Sequence, residues 1–191
     1  MKTKSRVYTL QQDRVSMFKR GIAAIFDIYI SLVLANIPIL LIYSIETGET
    51  KITKQLSTLS NGAGILACLL GILMVIFYYV FLPVYKFNGQ TLMKKLLGFK
   101  VVKNDGSAVD LRTMLKREVL GSMIIEGGFV SSGDYFKQLI LIITGSNQLY
   151  TGLLYTSFTI SILSIAFMAF SKGNKTLHDY IGGTKVLNLC K

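Results

Sequence analysis

Arg20–Tyr43 reads RGIAAIFDIYISLVLANIPILLIY. A bilayer crossing needs about 20 mostly apolar residues, and this stretch has that length. It also carries Arg20 at its mouth and Asp27 two turns in. A spacing of seven puts both on one helix face, yet roughly 10 Å apart along the axis. A direct ion pair between them requires the long Arg20 side chain to reach inward. A carboxylate at that depth is costly in lipid, so Asp27 is expected to face other helices or a wet cavity and to find a partner there.

Composition agrees with a membrane setting. Of 191 residues 51% are hydrophobic, the mean hydropathy is +0.51, and a chain this short spends that apolar sequence on lipid-facing helices. The formal charge of +11, from 21 Lys+Arg against 10 Asp+Glu, would raise nucleic acid as a partner of a soluble protein. Here the bias of cationic residues toward inside loops accounts for it, and no nucleic-acid role is expected. Cys68 in an apolar run and Cys190 next to the C-terminus form no metal motif or disulfide framework. Met1–Lys19 is polar and leads into a span of full length, so no cleavable signal is expected.

The lead-in 1–19 carries Lys2, Lys4, Arg6, Arg14 and Lys19 against Asp13, and reads as a cytosolic segment lying on the lipid surface. Asn36 and Pro38 are kink candidates in the outer half of the first span. Glu46–Asn61, with two acids and two bases, is the outside loop by charge. The second span, 62–85, has small residues (Gly62, Gly64, Ala67, Gly71) that let a helix approach closely and permit a homodimer. Its Tyr78, Tyr79 and Tyr85 are expected as an aromatic belt at the inner surface.

Residues 86–117 are the most basic loop and set the N-terminus inside. Within them Thr91–Phe99 reads as a short amphipathic helix, Phe99–Lys103 as a strand, and Asp110 as the N-cap of a helix starting at Leu111. The third hydrophobic region is interrupted by Glu126, Gly127 and Gly128. A helix over 111–130 is preferred, with a broken or re-entrant helix out to 143 as the alternative. A clean span, 149–170, returns the C-terminus inside. Gly173–Leu189 is too short and polar to cross. It predicts a helical turn, a bend and a strand that pairs with Phe99–Lys103.

Three pieces, in order, carry a resemblance: Arg20 with Asp27, the run GQTLMKKLLGFKVV from Gly89, and LHDYIGGTKV from Leu177. Together they resemble the RDD family of small bacterial membrane proteins, named for one arginine and two aspartates. The resemblance maps those residues to Arg20, Asp27 and Asp179, and implies the bacterial cytoplasmic membrane. It further implies a transport-related protein, ion–proton exchange having been proposed for some members, or an accessory protein. Glu126 and Gly127-Gly128 depart from the family pattern.

The expectation is a single-domain, all-α membrane protein over residues 1–191. It is a four-transmembrane-helix bundle with a small cytosolic β/amphipathic element at 86–110 and 171–191, both termini inside. Two readings of the charges stay open. In one, Asp27 is a proton- or cation-coupling carboxylate tuned by Arg20, with Asp179 or His178 as the relay to the cytosol and Glu126 as a second acid on the outer side. In the other, Arg20, Asp27 and Asp179 form a buried clamp holding the C-terminal motif under the bundle. Lys94, Lys95, Lys100, Arg112, Lys116 and Arg117 are expected as a basic cytosolic face for anionic lipids, or for a membrane partner in a scaffold or self-immunity role. His178 is the lone histidine and no catalytic spacing accompanies it, so neither enzyme chemistry nor a cofactor or metal is expected.

Overall fold

The structure, a computed structural model, describes residues 15–49, 55–171 and 173–189. The lead-in before residue 15, with most of its expected amphipathic segment, lies outside these residues, as do Lys51, Lys54, Lys172, Cys190 and Lys191. Helix α1 spans Met17–Thr47, capped by the Ser16 side chain and ended by Gly48 in the left-handed region. It runs unbroken through Pro38. Helix α2 spans Asn61–Lys86, and its last ten residues, Phe77–Lys86, take wider i→i+5 turns around Pro83. Helix α3 is Leu92–Leu96, β1 is Phe99–Lys103, α5 is Ser131–Thr144 and α6 is Asn147–Phe170; α4 fills residues 111–126. The chain closes with α7, Leu177–Gly182, and β2, Thr184–Asn188.

Among the described residues three helices are long and apolar enough to cross a membrane: α1, α2 and α6. Each exposes large apolar side chains, such as Phe26 and Val33 on α1, Leu69 and Leu73 on α2, and Ile162 and Leu163 on α6. On the other side, α1, α2 and α5 share a core of Ala35, Ile39, Ala67, Cys68, Val75 and Tyr135.

The third region is a broken helix. α4 stops at Glu126, short of Val130, because Gly127 turns into the left-handed region and caps back to Ser122. α4 begins against the Phe77–Lys86 end of α2, and α5 continues to the other end, where Ile142 meets Gly64.

Two of the small glycines of α2 are used within the chain. Gly64 lies under Ile142 and Leu56, and Gly71 under Ile39 and Tyr135, while Gly62 has nothing within 4 Å. The aromatic belt is also corrected. Tyr78 and Tyr79 are buried among the helices, and Tyr85 alone of the three stays exposed.

The expected strand pairing is present. β1 and β2 are antiparallel, with Val101 opposite Val186 and Phe99 opposite Asn188. Phe99, Val101 and Val186 pack with Val15, Ala23, Val80 and Met114, so the sheet closes the end of the bundle where α1 begins. Asp110 caps α4, accepting from Thr113 N at 2.8 Å.

Candidate functional site

At the sheet-bearing end, α7 is held against α4 at very short range. A Cβ on Gly121 would fall 2.8 Å from His178 Cβ, and one on Gly182 would fall 2.7 Å from Arg117 Cβ. This approach carries Asp179 into the bundle, where its residue exposure is 0%. Asp179 is the third residue of α7, and with Thr176 it forms a capping box, accepting from Thr176 N at 3.1 Å and Thr176 Oγ1 at 2.9 Å. It also accepts from Arg20 Nη2 at 2.6 Å and from Arg117 Nη2 at 2.9 Å. Burial alone would raise the Asp179 carboxyl's pKa. The charges of Arg117, His178 and Arg20 outweigh it and hold the group well below the ordinary carboxylate range. Arg20 further donates to the backbone carbonyl of Asn174, while Asn174 donates to Val15 O at 3.3 Å, tying the C-terminal motif to the start of α1.

The expected three-residue network is therefore two networks. Arg20 reaches away from Asp27 to Asp179, and Asp27 has partners of its own. Asp27 is 1% exposed and accepts from Tyr78 OH, Thr91 Oγ1 and, at 3.3 Å, Met93 N. Lys94 Nζ stands 3.9 Å from its Oδ2. Thr91 is well placed because it is the N-cap of α3, so its hydroxyl accepts from Lys94 N while donating to Asp27.

Glu126 belongs to this end as well, which corrects its expected place on the outer side. Its Oε2 lies 2.8 Å from His178 Nδ1, and its Oε1 accepts from His178 N at 2.9 Å and Ser164 Oγ at 2.7 Å. His178 pairs with Glu126, and its Nε2 lies 2.9 Å from Thr176 Oγ1.

Two residues assigned to the basic face are corrected too. Arg117 is 3% exposed and bridges Asp179 and Glu118, because α4 turns that face toward α7. Lys94 points inward beside Asp27, and burial lowers its pKa below the ordinary lysine range. Lys95, Arg112 and Lys116 are exposed and Lys100 is half-buried. Sequence reasoning missed Tyr78, Thr91, Glu118, Ser164 and Thr176 as partners. Only Thr91 and Thr176 carried a local signal, a threonine just before a short helix.

Asp27, Lys94, Glu118, Glu126 and His178 all border one cavity of about 420 Å³; Asp179 does not. Among the described residues no group of three His, Cys, Asp or Glu side chains could hold a metal ion.

Apolar helices of membrane-spanning length with ionisable side chains buried between them define a helical membrane protein. The chain belongs to the RDD family, whose model matches residues 14–183. It is similar to the uncharacterized protein YckC of Bacillus subtilis strain 168. The two are 27% identical over 154 residues, which cover 81% of this chain and 74% of that one. No solved structure matches the chain.

Proposed function

We propose that this is a transport-related protein of the bacterial cytoplasmic membrane, in which Asp27 and Glu126 handle a proton or a small cation. Arg20, Asp179 and Arg117 are the structural clamp that holds the C-terminal motif in place. The observation that carries this reading is the division of the acids. Asp27 and Glu126 border the cavity between the helices, whereas Asp179 is enclosed by two guanidiniums and a helix cap. A carboxylate fixed between two guanidiniums is a poor proton carrier. The protein acts without enzymatic turnover.

The topology that goes with this reading has four crossings, the third made jointly by α4 and α5, and both termini inside. The lysines and arginines around the sheet support that orientation. The Gly127 break supports a broken third crossing, since freed backbone groups at membrane depth need protein partners and Lys137 Nζ donates to Gly127 O at 2.8 Å.

The test is proton and sodium flux in proteoliposomes, with Asp27→Asn and Glu126→Gln beside the unmodified protein and folding checked by monodisperse elution. Flux that vanishes in a folded Asp27→Asn protein supports the reading; flux unchanged in both variants ends it. The second reading, an accessory or scaffold protein, is favoured by one observation. Among the described residues every buried polar side-chain atom already has a partner. That reading predicts no flux, and a membrane partner or anionic lipid on the surface of Lys95, Lys100, Arg112 and Lys116.

A further inference from the structure

His178 is the chain's one histidine, and each of its ring nitrogens faces an oxygen. Which nitrogen carries hydrogen follows from the hydrogens those oxygens have to give. Nε2 lies 2.9 Å from Thr176 Oγ1. A threonine hydroxyl has a single hydrogen, and this one is directed to Asp179 Oδ2 at 2.9 Å. Asp179 accepts on both oxygens, from Arg20 Nη2 and Thr176 N on Oδ2 and from Arg117 Nη2 on Oδ1, so it is ionised and has no hydrogen to offer in return. Turning the hydroxyl toward His178 would leave two bare oxygens 2.9 Å apart, one of them charged. Thr176 therefore meets the ring as an acceptor, and Nε2 carries the hydrogen of that bond.

The consequence falls on the other side of the ring. A neutral imidazole with hydrogen on Nε2 has a bare lone pair on Nδ1. Nδ1 lies 2.8 Å from Glu126 Oε2. The other oxygen of that carboxyl, Oε1, already accepts from His178 N at 2.9 Å and from Ser164 Oγ at 2.7 Å. Ser164 Oγ in turn accepts from Leu177 N at 2.9 Å, which leaves its hydrogen for Glu126. A bare nitrogen and an ionised carboxylate oxygen do not pair at 2.8 Å without a hydrogen between them.

We infer that Glu126 and His178 hold one resident proton between Oε2 and Nδ1, on the wall of the cavity, and that Thr176 is the positioning residue that imposes it by fixing hydrogen on Nε2. The pair is an imidazolium beside a carboxylate, or a neutral ring beside a carboxylic acid, and its net charge is zero in both. The clamp around Asp179 thus sets the protonation of the cavity wall through one hydroxyl. The other charged groups bordering the cavity are Arg20 and Asp27 on α1, Lys94 on α3, and Arg117 and Glu118 on α4; α6 presents Ser164 to the pair. On α7 itself Asp179 Oδ1 stands 4.0 Å from Nε2. The proton is held whether or not the protein moves ions. Its loss would set a lone pair against a charged oxygen at the contact that joins α7 to α4.

With one histidine in the chain, ring nitrogen-15 labelling gives one pair of imidazole NMR signals, and protonated and bare nitrogens resonate far apart. The full chain in detergent is followed from neutral to alkaline pH. Nε2 is expected to stay protonated throughout. At neutral pH Nδ1 is expected to be protonated or, if bare, to be accompanied by a carboxylic-acid C=O stretch that Glu126→Gln removes from the infrared spectrum. Thr176→Ser keeps the hydroxyl and is expected to keep this pattern. Thr176→Val removes the acceptor at Nε2, so the alkaline form is expected to carry its hydrogen on Nδ1, facing Glu126, with loss of the protonated Nε2 signal. A role in capping α7 alone would not move hydrogen between the two nitrogens. A bare Nε2 in the unmodified protein overturns the proposal, and that result stands on its own should Thr176→Val fail to fold. So does a bare Nδ1 at neutral pH with no acid stretch lost in Glu126→Gln, or an Nε2 still protonated at alkaline pH in folded Thr176→Val.

Discussion

Asp179 and Asp27 are both buried acids, and their surroundings assign them different work. Asp179→Asn takes from Arg20 and Arg117 the carboxylate they share and leaves Glu118 beside Arg117, and removing one partner of such a buried group costs about 3–5 kcal/mol. Asp27→Asn keeps one oxygen for one of the Tyr78 and Thr91 hydroxyls and turns its amide N–H to the other, which can accept, so its cost should be nearer about 1–3 kcal/mol. Unfolding in detergent measures both, and equal losses would contradict the division into clamp and cavity acid. The Asp179 clamp also fixes a pH dependence. Its folded pKa lies below the ordinary 3.8, so its contribution is fully present above that value and is lost as pH falls through the folded pKa. Stability of the unmodified protein relative to Asp179→Asn should therefore be constant from neutral pH down to about 5 and shrink below about 4. A difference that shrinks instead between pH 5 and 7 would count against it.

At the scale of elements, the docking of α7 on α4 rests on two missing side chains. Gly121→Ala and Gly182→Ala each place a methyl group within 3 Å of a neighbouring side-chain or backbone carbon, and overpacking of this kind costs about 1–3 kcal/mol. The expected readout is faster amide hydrogen exchange across Leu177–Gly182, with α1 and α2 unaffected. Gly62→Ala, where nothing lies within 4 Å, serves as the neutral control. Protection of α7 unchanged in both glycine variants would show that the close approach is not required. The short elements here were legible because their signals are local: Asp110 as a cap, the amphipathic run from Thr91, and two short runs with β-branched residues. The break after Glu126 was legible as an alternative through Gly127 and Gly128. That α4 would present Arg117 to α7 was not, since one cation in a basic loop looks like another.

Across the whole molecule the proposed orientation puts the sheet inside and the loop after α1 outside. Single cysteines at Ser57 and Lys100, with native thiols replaced, should label from opposite sides of intact cells: Ser57→Cys with an impermeant reagent, Lys100→Cys only after permeabilisation. Labelling of both from one side would overturn the orientation.

The sequence by itself determined the membrane class, the three long apolar helices, the strand pairing and the family, because length, hydropathy and capping are properties of neighbouring residues. It also placed Arg20 too far from Asp27 for a direct bond, since helix rise follows from spacing alone. Only the tertiary structure decided which acid met which base. Arg20 and Arg117 met Asp179, Asp27 met Tyr78 and Thr91, and Glu126 met His178, across separations from 51 residues between Tyr78 and Asp27 to 159 between Arg20 and Asp179. Those choices follow from how closely α7 lies on α4 and how α3 folds beneath α1, and no local pattern encodes such distances.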